Sequence, residues 1–167
     1  EIAGMGKVLT QEQIEHYHRE GYLFPLNGIS KERCNELLAG VERFEKEHGV
    51  NPGLFKLKGH LTMKETWDFI REPAILDVAE DLIGPNILAF GSRFWVKPGG
   101  DGSFVSWHQD SAYFGCEPHD MVTCWVALTP ANIINGCMRA MPTSHKHGYD
   151  HDESHENAPG DAVSYTQ

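Results

Sequence analysis

Apolar residues change their period part-way along the chain. Up to Gly84 they recur at steps of three and four, which is the spacing of one helix face. Thr10 followed by Gln13 forms a capping box and predicts a helix over 11–20, stopped by Gly21. Ser30 caps a second predicted helix in which Cys34, Leu37, Leu38, Val41 and Phe44 share a face, ending near Gly49. Residues 51–59 read as a Pro- and Gly-punctuated loop. Pro73 then opens a third helix with Ile75, Leu76, Ala79, Leu82 and Ile83 on one side, closed by Gly84-Pro85. After Pro85 the pattern becomes short runs rich in Val, Trp, Phe and Ile, at 87–96, 104–109, 121–128 and 137–141, with Pro98-Gly-Gly-Asp-Gly as a turn between the first two. These predict strands. From His145 onward the chain is polar except for Val163 and Tyr165.

Helices first and short strands afterwards predict an α+β fold with a mainly β core, a jelly roll with N-terminal helices packed on one sheet. We expect a single domain over 7–167, helical at 10–84, strand-rich at 86–142 and a polar loop at 143–167. Residues 1–6 carry no pattern and are read as a cut end or a leftover of expression. A double-sheet jelly roll needs about eight strands, and about half as many are visible, so the chain is expected to lack its last strands. With 167 residues, 40% of them hydrophobic, it has enough apolar material for a core. Its net charge of -10 opposes binding to phosphate backbones or anionic membranes. No apolar run is long enough to span a bilayer and no signal peptide opens the chain, so a cytoplasmic protein is the default expectation. Cys34, Cys116, Cys124 and Cys137 lack Cys-x-x-Cys spacing, which argues against a disulfide framework or a structural zinc site.

Candidate chemistry concentrates in Trp107-His-Gln-Asp. On a strand, His108 and Asp110 would face the same way, and a neutral imidazole with a carboxylate can share one divalent ion. One more histidine would complete a 2-His-1-carboxylate triad, the set that leaves Fe(II) open for substrate-side ligands and O2. The plainer alternative is a His and an Asp paired on a surface strand. Of the ten histidines, His145, His147, His151 and His155 cluster in the polar stretch, where solvent exposure explains them as well as metal binding does.

Six pieces of sequence in order resemble the phytanoyl-CoA dioxygenase-like family of Fe(II)- and 2-oxoglutarate-dependent oxygenases. They are Lys58-Gly-His-Leu, Gly84-Pro-Asn, Phe94-Trp-Val-Lys-Pro-Gly-Gly-Asp-Gly, Trp107-His-Gln-Asp, Pro118-His-Asp-Met-Val-Thr-Cys-Trp, and Asn135-Gly-Cys-Met-Arg with Pro142-Thr-Ser-His-Lys. Together they span about residues 9–146. The resemblance implies a double-stranded β-helix, a cupin-like jelly roll. It implies His108 and Asp110 as iron ligands, with Lys58, Gln109 and Trp125 near 2-oxoglutarate. Lys58 would supply a point charge for a carboxylate, and Trp125 a flat apolar wall.

Two departures from the family pattern stand out. The late histidine ligand, and the arginine about ten residues beyond it that clamps 2-oxoglutarate, are not found before Gln167. Arg93 occupies a position that is apolar in relatives, facing either the pocket or a salt-bridge partner. His145 is the visible substitute for the third ligand, although it matches a family turn that does not ligate. The expected activity is hydroxylation of a small organic substrate coupled to oxidative decarboxylation of 2-oxoglutarate, with O2 as co-substrate. The retained Asp110 favours this over halogenation, which in the family goes with a small residue there. A non-catalytic jelly-roll module with a partial metal site is the alternative. A zinc or manganese hydrolase would want a further ligand at short spacing, which is not seen.

Overall fold

A computed structural model describes residues 6–50, 58–97, 99–100, 102 and 104–150. The predicted loop at 51–57, Pro98, Asp101 and Ser103 at the predicted turn, and the tail with His151 and His155 lie outside the described residues.

The three predicted helices are present, with boundaries set by local chemistry. α1 (Gln11–Glu20) starts at Thr10, whose hydroxyl accepts from the Gln13 backbone N–H while the Gln13 side chain returns the bond, and it ends at Gly21 with φ 86°. α2 (Lys31–His48) is capped by Ser30 and closed by Gly49 at φ 63°. α5 (Pro73–Ile83) has proline in its first turn, where no amide donor is needed.

Two short helices lie in the stretch between them, α3 (Gly59–Thr62) and α4 (Lys64–Phe69). Neither has a side-chain cap, and tertiary packing holds them. α4 packs on α2, and Leu37, Val41, Met63 and Phe69 form the buried core. Phe94, Val126 and Leu128, from the half expected to be strand-rich, reach the same cluster. Arg43 pairs with Glu65 at 2.7 Å across the outside of the α2–α4 contact. The N-terminal segment is fastened to α5 by Asp81, whose carboxylate accepts from the backbone N–H groups of Lys7, Val8 and Leu9 at 2.5, 2.9 and 2.9 Å.

Residues 86–142, expected to be strand-rich, carry little regular structure among the described residues. Among the described residues of this stretch, Ser92 forms an isolated parallel bridge with Lys58, and Phe104 is a further single bridge position. α6 (Ser111–Phe114) interrupts the stretch. A strand is completed only by neighbours that share its hydrogen bonds, so an apolar run alone does not make one.

Candidate metal and cofactor site

His108 and Asp110 come together. His108 Nε2 lies 3.1 Å from Asp110 Oδ1. The route differs from the strand expectation, since Asp110 has helical torsions (φ -56°, ψ -40°) and stands just before α6, at its N-cap position without a side-chain cap bond. Two residues along a strand advance about 6.6 Å, and the turn into α6 brings the side-chain tips closer than that.

His108 Nδ1 is 2.8 Å from the Ser106 carbonyl oxygen, which can only accept, so Nδ1 carries the proton. In the neutral ring the lone pair of Nε2 then faces the carboxylate. Two acceptors at 3.1 Å require a cation between or beside them, either a proton or a metal ion. Two ligand atoms placed cis at about 2.1 Å from one ion are about 3.0 Å apart, so the observed separation fits a shared metal. A ring nitrogen held by a carbonyl is also the usual support for a metal-binding histidine.

The second carboxylate oxygen is held separately. Thr123 Oγ1 donates to Asp110 Oδ2 at 2.5 Å, leaving Oδ1 on the His108 side. With a proton on Nε2, the bond from His108 holds the Asp110 carboxyl below the usual aspartate range, burial opposes this, and the Thr123 hydroxyl adds to the lowering. Thr123 carried no assigned role in the sequence, and its only sequence signal is position. It stands two residues before Trp125, and residues two apart share a face in extended chain. Val126 and Leu128 pack on the core while Trp125 and Ala127 are exposed, which matches that alternation.

Lys58 is linked to the pair through two phenyl rings. Its ammonium donates to the Phe90 carbonyl and sits 5.0 Å from the centre of the Phe90 ring. Phe90 packs on Phe114, with centroids 4.6 Å apart, and Phe114 closes the helix that Asp110 precedes. Among the described residues no carboxylate pairs with Lys58.

The structure places the other candidates elsewhere. The Gln109 amide donates to the carbonyls of Ser144 (3.1 Å) and His147 (2.8 Å) and accepts from Tyr149 N–H (3.1 Å), pinning the chain at 144–149 to the residue between His108 and Asp110. His145 is at the end of α1, where its Nε2 lies 3.1 Å from the His18 carbonyl and its ring packs over Gly21. Arg93 stacks on Trp95 at 3.8 Å. Among the described residues no three His, Cys, Asp or Glu side chains converge to hold a metal.

The sequence profile of the phytanoyl-CoA dioxygenase (PhyH) family matches residues 17–163. The chain belongs to that family. Human peroxisomal phytanoyl-CoA dioxygenase is 36% identical over 83% of the chain and 48% of its own length. A probable α-ketoglutarate-dependent hypophosphite dioxygenase of Stutzerimonas stutzeri is 32% identical, covering 84% of the chain and 55% of that protein. The ectoine dioxygenase of Bordetella parapertussis is 27% identical, covering 87% and 53%. The chain thus spans about half the length of the curated relatives it matches. No solved structure matches it. No helix among the described residues is long and apolar enough to cross a membrane.

Proposed function

We propose that this chain carries half of the active site of an Fe(II)- and 2-oxoglutarate-dependent dioxygenase that hydroxylates a small organic molecule. The observation that carries this reading is the His108–Asp110 pair, 3.1 Å apart, with a fixed tautomer on one side and a threonine-held oxygen on the other. His108 Nε2 and Asp110 Oδ1 would hold the iron, and a third donor would come from outside the described residues. Lys58 would bind a carboxylate of 2-oxoglutarate, having three donors of which the Phe90 carbonyl takes one. Trp125 would form an apolar wall beside it.

When bound, iron and 2-oxoglutarate supply the oxidation: 2-oxoglutarate and O2 give succinate and CO2, and the second oxygen atom enters a substrate C–H bond. The protein's own part is to keep Nε2 deprotonated toward the metal and to hold Asp110 through a single oxygen, which leaves neighbouring positions open. The full carboxylate at position 110 supports hydroxylation over halogenation. The relatives are named for ectoine, phytanoyl-CoA and hypophosphite, three unlike substrates, so membership of the family leaves the substrate class broad. Leu88, Met138 and Met141 are exposed along the runs expected to form strands, which supports a double-stranded β-helix whose remaining strands would cover them.

The test is anaerobic titration of the Fe(II)-loaded, full-length gene product with 2-oxoglutarate, following the metal-to-ligand charge-transfer band, then admission of O2 with measurement of succinate. A band and succinate release that both vanish in Asp110→Ala are expected. Iron-independent behaviour, or a wild-type band in Asp110→Ala, would refute the reading. Binding of 2-oxoglutarate without succinate under any substrate tried would favour the non-catalytic module.

A further inference from the structure

Among the described residues, the backbone of the turn that carries Lys58 is tied to the 90–92 segment at Ser92. The Ser92 backbone bridges Lys58, and its carbonyl accepts from Gly59 N–H at 3.1 Å. Its hydroxyl oxygen accepts from His60 N–H at 2.9 Å and lies 2.8 Å from His60 Nδ1. With one lone pair of the oxygen taken by the backbone N–H, the hydroxyl proton and the second lone pair both remain to bond Nδ1, so the ring and the hydroxyl are matched in either tautomer. His60 is 7% exposed and its ring stacks on Trp67 with centroids 6.3 Å apart. A buried imidazole holds a polar partner such as this hydroxyl in place, since leaving either group unmatched is costly.

The geometry matters because of what lies on either side of the clamp. Two residues before Ser92 is Phe90, whose carbonyl and ring are where the Lys58 ammonium rests. One segment, 90–92, therefore fixes both ends of Lys58: its backbone through Ser92 and its charged tip through Phe90. Phe90 in turn packs on Phe114 of the helix that follows Asp110.

We propose that Ser92, acting with His60, is a positioning residue for 2-oxoglutarate: its hydroxyl sets where the Lys58 ammonium points, and cofactor affinity depends on it although it touches no cofactor atom. This rests on the reading of Lys58 as the carboxylate-binding residue given above.

The test is a double-mutant cycle in the full-length gene product, with 2-oxoglutarate affinity read anaerobically from the charge-transfer band and Fe(II) affinity from chelator competition. Ser92→Ala should weaken 2-oxoglutarate about tenfold and leave Fe(II) affinity unchanged, and Ser92→Thr, which keeps the hydroxyl, should restore it. In a Lys58→Met background Ser92→Ala should have no further effect, because its target is gone. If Ser92→Ala fails to fold, His60→Phe keeps the ring against Trp67, removes Nδ1 and should give the same selective loss. Equal affinity for wild type and Ser92→Ala while Lys58→Met is weakened would overturn this inference alone. Additive losses in the cycle would reduce Ser92 to a general structural role and overturn it as well. No effect of Lys58→Met would overturn both this inference and the assignment of Lys58.

Discussion

The hydroxyl of Thr123 offers the sharpest perturbation of the proposed iron site. It donates to Asp110 Oδ2 at 2.5 Å, a short bond to a charged acceptor, of a kind that contributes about 1.5–3 kcal/mol. The Asp110 side chain is 34% exposed, so water replaces part of what is lost and the lower end of that range applies. Thr123→Val keeps the shape and removes the donor. The carboxylate is then free to rotate or to take the metal with both oxygens, and Fe(II) affinity should fall about tenfold, since 1.4 kcal/mol is one decade. Loss of the bond should also move the Asp110 carboxyl up toward its ordinary range, because Thr123 is one of the groups that lower it. Thr123→Ser should recover most of the affinity. The assay is anaerobic competition for Fe(II) against a chromophoric chelator. An affinity for Thr123→Val within about twofold of wild type, alongside a strong loss in Asp110→Ala, would show that Oδ2 is not held by this hydroxyl when metal is present.

Other expectations concern residues placed by the same geometry. Replacing Asp110 with Ala should abolish turnover and leave His108 as the one visible ligand, so chelator competition should find little residual Fe(II) binding. His145→Ala should leave iron affinity unchanged, because its Nε2 faces the His18 carbonyl, and should lower stability by about 1 kcal/mol, read from denaturant unfolding. Burial, and then the Lys58 ammonium, lower the pKa of His60 from the ordinary 6.5. Below that pH the unfolded chain takes up the proton first, so this residue contributes a loss of stability as pH falls from 6.5 toward the folded value, and none above it. Unfolding of wild type and His60→Phe at about pH 7.5 and pH 5.5 should show the acid loss reduced in the variant, and identical pH slopes would contradict it.

The helices α1, α2 and α5 were legible in the sequence because each is bounded by residues that act on their own neighbours. Thr10 with Gln13, Ser30, Pro73, Gly21 and Gly49 terminate helices through bonds or torsions within four residues. The His108–Asp110 pair stood out in the sequence as an imidazole and a carboxylate two residues apart, but their tips meet because the chain turns into α6 at Asp110. Tertiary structure decided the rest. α3 and α4 have no caps and exist because Met63 and Phe69 have α2 to pack against. Ser92 bonds across 32 residues, Thr123 across 13, and Gln109 across 35 to 40. Contacts of that span leave no periodic trace in the chain. A serine that clamps a turn and a glutamine that pins a loop are, in sequence, polar residues like any others, and only the fold that closes the intervening chain gives them a partner.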